Sequence, residues 1–450
     1  MKSLFILLAF SASAFASDLG KRPVPFAIGT SQAVFADFEK AEYRITYNIK
    51  EKKAHVEATI DYETAEAGRL VFDLHNEPTK ITVDGIFTTS QVTATPSKET
   101  SLRVLGTPTA AGRHQLKITA PLTQLVEFSS TGVKSAFWMS DLTDRGYIER
   151  YIPTNLIYDR FPMTFIVKFI GGSDEQKIYA NGDVSKIGEN EYKVSYRAEL
   201  NTTCQYFHTT PVSSVVETVF SYKSVDGRDL PAVIYLQKSG ATQANKLASL
   251  KRQTITILDE LERDYGPFLH PSITIYVSGM GGMEYSGATM TSESALGHEL
   301  YHSYFARGVM PADGNAGWID EALASWRDEG YKRINSLGGT SQMANHGTYY
   351  RATDRQAYSF GERFMALLDG KVSDKGGLKQ FLRKLVEDKS FDPITVTDFT
   401  QAMNKFYNSK FEDLFSKYVY GNSFEKMNTL PAKSKEIHRQ PSIEELKLSL

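Results

Sequence analysis

From Ala41 to about Val216, apolar and polar residues alternate with a period of two. Tyr43, Ile45, Tyr47 and Ile49 mark one run. Val56, Ala58, Ile60 and Tyr62 mark a second, and Leu70, Phe72 and Leu74 a third. Successive side chains of a strand point to opposite faces, so these runs predict half-buried strands. Asp84-Gly85, Gly112, Gly171-Gly172 and Asn181-Gly182 supply turns between them. The expectation is an antiparallel β domain over 41–216, sandwich-like or saddle-like, behind a leader over 17–40. No internal repeat is visible.

After Asp226-Gly227 the period changes. Val233 to Leu236 reads as a strand, and Ile273 to Val277 as another. Between them, Leu247, Leu250, Ile257, Leu258 and Leu261 recur at helical spacing over Ala241 to Tyr265. Thr291-Ser292 and Gly308 frame a helix from about Glu293 to Arg307, and a second runs from Gly317 to Glu329. Four more helices follow, over Gln356 to Asp369, Leu378 to Glu387, Val396 to Phe406 and Phe411 to Tyr418. Beyond Gly421 the chain turns polar, and Ser442 to Glu445 could cap one last short helix. The chain is therefore read as an α+β multidomain protein: a β domain, a second domain over 217–425 and a polar tail over 426–450. A length of 450 residues agrees with more than one core.

Charge narrows the partners. The formal net charge is −2, too small to favour nucleic acid or a membrane surface. Met1-Lys2-Ser3, the apolar run Leu4 to Phe10 and Ala14-Phe15-Ala16 read as a secretory signal peptide over 1–16. That run is far below the ~20 residues needed to span a bilayer. The expectation is an exported protein, periplasmic or extracellular, with no membrane anchor after cleavage. Cys204 is the single cysteine, so no intramolecular disulfide can brace the fold. It reads as a buried small residue rather than a reactive thiol.

The chemistry concentrates between Gly281 and Trp326. His298-Glu299-Leu300-Tyr301-His302 is an H-E-x-x-H pentapeptide. Residues four apart share a helix face, so both imidazoles can meet one metal ion. Glu299 beside them can reach a water on that ion. A third protein ligand is needed, and Glu321 follows His302 after eighteen intervening residues. Histidine is scarce, nine in the chain, which makes a chance pentapeptide rare. The predicted cofactor is one zinc per chain, held by His298, His302 and Glu321.

The stretch Gly281-Gly282-Met283-Glu284-Tyr285, the pentapeptide, and Asp320-Glu321-Ala322-Leu323-Ala324 together resemble the gluzincin aminopeptidases, the family of aminopeptidase N and leukotriene hydrolase. Tyr285 replaces the family's Asn, and the gap from Glu284 to His298 is short. Arg150 to Pro153 with Asp159 and Phe165 to Val167, and Tyr206 to Pro211, are more weakly similar. The resemblance implies a thermolysin-like peptidase domain with a mixed sheet lobe and a helical lobe, acting on peptides. It implies Glu299 as general base and Tyr358 as donor to the tetrahedral intermediate, with Tyr349 and Tyr350 as alternates. Gly281, Gly282, Met283 and Glu284 would bind substrate, Glu284 taking its free α-ammonium. The strand Ile273 to Val277 would be the edge of the cleft. The place near Asn155 lacks the family's second amine-binding residue. A glycyl-aminopeptidase-like gluzincin, an endopeptidase and a non-catalytic binding protein on the same scaffold remain alternatives. Oligomeric state and the preferred side chain are not legible.

Overall fold

The computed structural model describes residues 22–93, 101–140, 146–239, 243–346 and 352–422. The signal peptide, the tail over 426–450 with its expected last helix, and Tyr349 and Tyr350 lie outside the described residues.

Two twelve-residue strands, Asp37–Asn48 and Lys53–Thr64, form the spine of the first half and pair antiparallel. Tyr43, Ile45, Tyr47, Val56, Ala58, Ile60 and Tyr62 are all buried, as the alternation requires. Gly112–Pro121 extends the sheet on one side. Met163–Ile170 extends it on the other, running parallel to Asp37–Asn48, and the whole sheet has eight strands. A five-stranded sheet and a four-stranded sheet complete the β domain. The leader is not a separate segment where it is described. Phe26–Ile28 and Ser31–Phe35 are strands, and Asp37–Asn48 starts upstream of Ala41. Ala33, Phe35 and Phe38 carry its apolar pattern into the core.

The second half opens with Val215–Lys223 and closes its sheet in the order Val215–Lys223, Asp229–Gln237, Ile273–Val277, Ala288–Thr291, Gly282–Tyr285. Ile273–Val277 is buried along its length and lies between two parallel neighbours. It is a central strand; the edge is Gly282–Tyr285, antiparallel to Ala288–Thr291. The tight turn between these two needs Gly287, with φ of +67° and no room for a Cβ beside the Ser272 carbonyl.

The helices are α1 (Gln243–Tyr265), α2 (Leu296–Tyr301), α3 (Trp318–Asp328), α4 (Glu362–Lys371), α5 (Leu378–Lys389), α6 (Val396–Tyr407) and α7 (Glu412–Tyr418). None of the described helices is long and apolar enough to cross a membrane. Helix α2 is much shorter than the sequence suggests. His302 keeps helical angles, but Ser303 and Tyr304 already bond three residues back. Ala306 then takes φ of +116°, which no helix tolerates. Leu296, Leu300, Tyr301 and Tyr304 join α1, α3 and the later helices in one core.

The two halves meet through buried aromatic residues. Trp138 stacks on Tyr276, and His208 Nδ1 lies 2.8 Å from the Tyr235 hydroxyl. The Met139 amide donates to the Tyr285 hydroxyl at 3.1 Å, deep in this contact. Tyr285→Phe removes that acceptor and strands a buried amide. It should lower unfolding stability by about 1–3 kcal/mol in denaturant titrations while leaving metal uptake intact. An unchanged transition midpoint would place no weight on this bond.

Candidate metal centre

The i,i+4 spacing does what the sequence proposes. His298 and His302 have ring centroids 4.9 Å apart on one side of α2. Helix α3 crosses beside it and presents Glu321 from its first turns. Glu321 Oε2 lies 3.1 Å from His298 Nε2 and 3.4 Å from His302 Nε2. Two ligands bound to zinc at 2.0–2.1 Å in a tetrahedron stand roughly 3.3 Å apart, so these spacings fit one ion. The outward nitrogens are already engaged. His298 Nδ1 is 2.7 Å from Asp328 Oδ2, and His302 Nδ1 is 3.1 Å from the Phe305 carbonyl. Donating there turns both Nε2 lone pairs inward. Asp328 escaped the sequence reading. Its signal is its place seven residues after Glu321, two turns along the same helix face.

All three ligands are buried, and their charges follow from one another. Burial works against a charged His298, but hydrogen bonds to Asp328 and Glu321 outweigh it and lift its pKa to about 10. Burial likewise opposes charge on His302, yet the Glu321 and Glu284 carboxylates hold it well above the ordinary range. Burial pushes Glu321 up, and the two imidazoles pull it far below the usual carboxylate range. Such a cluster is a ready exchange site: a divalent cation can take the place of the imidazole protons.

Glu299 sits on α2 with its carboxylate over the edge strand. A Cβ on Gly282 would lie 1.8 Å from Glu299 Oε1, so glycine clears the space the carboxylate occupies. Glu299 Oε2 is buried with no hydrogen-bond partner among the described residues. Burial raises this carboxyl to about 8, only partly opposed by the neighbouring imidazoles. A buried acceptor without a donor is a place for water or substrate.

The edge strand divides its residues by face. Gly282 and Glu284 turn toward α2. The Met283 and Tyr285 side chains turn away and pack in the core shared with the β domain. Met283 can therefore offer substrate only its backbone, and Tyr285 serves the domain contact. Gly281 is half-buried where the strand begins. Ligand atoms of Glu284, Glu299 and His302 lie within 4.8 Å of one another, so Glu284 does reach the centre. Its Oε1 is engaged, however, by Arg307 Nη2 at 2.6 Å. Arg307 was not singled out from the sequence, where it falls at the end of an expected helix.

Tyr358 is brought to the site by a π-helical turn, Ala357–Gly361, that runs into α4. Its ring lies nearly parallel to the His298 ring, centroids 6.4 Å apart. Single π turns recur at functional sites because the extra residue re-aims a side chain. Asn155 is tied into the β domain: its Nδ2 donates to the Ala36 carbonyl and to Asp159.

No family model matches the sequence, and no curated protein matches it. Solved structures do share the fold. An M1 zinc metallopeptidase mutant from Deinococcus radiodurans, bound to a Tyr-Ser-Ala substrate, aligns with a TM-score of 0.63 at 16% identity over 87% of this chain and 95% of that one. Aminopeptidase A from Legionella pneumophila, in complex with aspartic acid, gives 0.62 at 13% identity over 86% of this chain and 50% of its own. Native leukotriene A4 hydrolase from Saccharomyces cerevisiae gives 0.62 at 13% identity, over 89% and 69%. The architecture is thus that of the M1 zinc metallopeptidases, with a smaller helical lobe.

One consequence is a pH law for metal uptake. In the metal-free protein His298 keeps its proton up to pH about 10, and His302 is also held charged. Zinc binding at neutral pH should release at least two protons, the Glu299 carboxyl adding to the imidazoles, and affinity should rise as pH rises. Binding heats measured in buffers of different ionisation enthalpy count those protons. Uptake without proton release would contradict the charge arrangement.

Proposed function

We propose that this protein is an exported zinc-dependent metallopeptidase that removes N-terminal residues from peptides. The observation that carries the reading is the convergence of His298, His302 and Glu321 on one point beside the unpartnered carboxylate of Glu299. The fold shared with peptidases solved with a peptide or an amino acid supports a peptide substrate. Export rests on the sequence pattern of residues 1–16 alone.

Zinc bound by the two imidazoles and Glu321 would acidify a water to a pKa near 7 and polarise the scissile carbonyl. Glu299, raised toward neutrality by burial, takes the proton of the attacking water. It then gives that proton to the leaving amine as the C–N bond breaks. The Tyr358 hydroxyl donates to the carbonyl oxygen as negative charge grows on it. The backbone at Gly281 and Gly282, at the open end of the edge strand, aligns the peptide by strand pairing. Glu284 meets the substrate's amino terminus. The ion pair with Arg307 favours a second reading, an endopeptidase on the same chemistry, because it leaves Glu284 less charge to offer an ammonium.

Two substitutions separate the roles. Glu299→Gln should keep zinc and lose turnover by about 10²–10⁴-fold on an aminoacyl reporter. Tyr358→Phe should fall about 10²–10³-fold in kcat with little change in KM. Metal analysis beside steady-state kinetics reads both. Full turnover by the Gln variant would remove Glu299 as the base, and normal kcat in the Phe variant would remove Tyr358.

A further inference from the structure

We infer that Arg307 is a specificity-determining residue: it cancels most of the charge of Glu284, so the site accepts acylated amino termini almost as well as free ones. The inference rests on the peptidase reading above and deepens it.

The geometry is a clamp. Arg307 Nη2 donates to Glu284 Oε1 at 2.6 Å, and Nε donates to the Glu284 carbonyl at 3.2 Å. Nη1 donates to Thr203 Oγ1 at 2.7 Å, which ties the guanidinium to the β domain. Both side chains are almost wholly buried, at 3% and 2% exposure. A guanidinium with three such bonds cannot swing into water when substrate arrives. The backbone is shaped for this placement. Ala306 holds φ of +116°, strained for a residue with a Cβ, and the Arg307 amide bonds back to the His302 carbonyl. A helix continued through Arg307 would not place it there.

The far side of the guanidinium faces away from the three metal ligands. Behind it is a cavity of about 10 Å³ lined by Tyr147, Thr203, Asp313, Asp320 and Thr353. That is space for about one water and for no peptide group. Arg307 therefore acts through Glu284 rather than on substrate directly.

Coulomb energy falls as 1/r. An ammonium about 3 Å from Glu284 would stand roughly 5 Å from the guanidinium, so about 60% of the attraction is cancelled. What remains of Glu284 is chiefly a hydrogen-bond acceptor. The amide N–H of an N-acyl residue can donate to it as well as an ammonium can, and needs no counter-charge. The substrates implied are peptides whose first residue carries an acylated amino group as well as those with a free one.

The test compares kcat/KM for an aminoacyl reporter and its N-acetyl twin, using the full zinc-loaded chain. The unmodified protein should favour the free amine by less than about 10-fold. Arg307→Gln should raise that ratio at least about 10-fold, mainly through a lower KM for the free amine. Arg307→Lys keeps a cation beside Glu284 and should hold the ratio near the unmodified value, which a merely structural role would not distinguish from Gln. If Arg307→Gln loses zinc and fold, the pair Glu284→Gln with Arg307→Gln removes both charges and should leave the ratio near one. A ratio above about 10 in the unmodified protein overturns the inference, as does an unchanged ratio in folded Arg307→Gln or a large one in the double variant. Zinc-loaded protein that cleaves neither reporter overturns the peptidase reading, and the inference with it.

Discussion

Two imidazoles, three carboxylates and a guanidinium share one buried interior, and none of them can be buried there alone. His298, His302, Glu299, Glu321, Glu284 and Arg307 are each at most 4% exposed. An isolated buried charge costs several kcal/mol, so each must face an opposite charge or a bound cation or give up its charge, as burial drives the Glu299 carboxyl to do. This constraint accounts for much of the local structure. Helix α3 must cross α2 where Glu321 can meet both rings. Asp328 must lie two turns on, where it fixes the first ring from behind. Gly282 must lack a side chain so that Glu299 fits between the strand and the helix.

The same constraint binds the two halves into one working unit. Thr203 of the β domain accepts a guanidinium bond from Arg307, and Arg307 in turn engages Glu284 of the edge strand. Tyr285, one residue on, takes the Met139 amide from the other side. The strand that borders the metal centre is thus held along one face by the β domain. A site assembled on the second half alone would lack that support.

The metal ligands were legible because they obey local arithmetic: four residues apart on a helix, then a glutamate at a fixed later position. The β domain was legible from its period of two. What escaped the sequence is non-local or depends on an irregular backbone. The strands over 26–35, inside the expected leader, carry too few residues for their alternation to stand out. Arg307 looked like the last residue of a helix, because nothing in the composition announces that Ala306 adopts a positive φ. Tyr358 was found only by resemblance; the π turn that aims it has no simple periodic signature. The resemblance makes Ile273–Val277 the edge of the cleft, and nothing in its own residues shows what pairs beside it. The chain instead turns back there and adds Gly282–Tyr285 outside it. The alternation of the strand turns the Met283 side chain into the core, which leaves its backbone for substrate.

The account depends first on His298, His302 and Glu321 forming a single zinc site, and elemental analysis of the purified chain tests this directly. The unmodified protein should carry close to one zinc per chain after dialysis. Glu321→Gln, which keeps the shape of the side chain but not its charge, should lose most of it. A Glu321→Gln chain that retained a full equivalent of zinc would contradict the account, since the ion would then be held elsewhere.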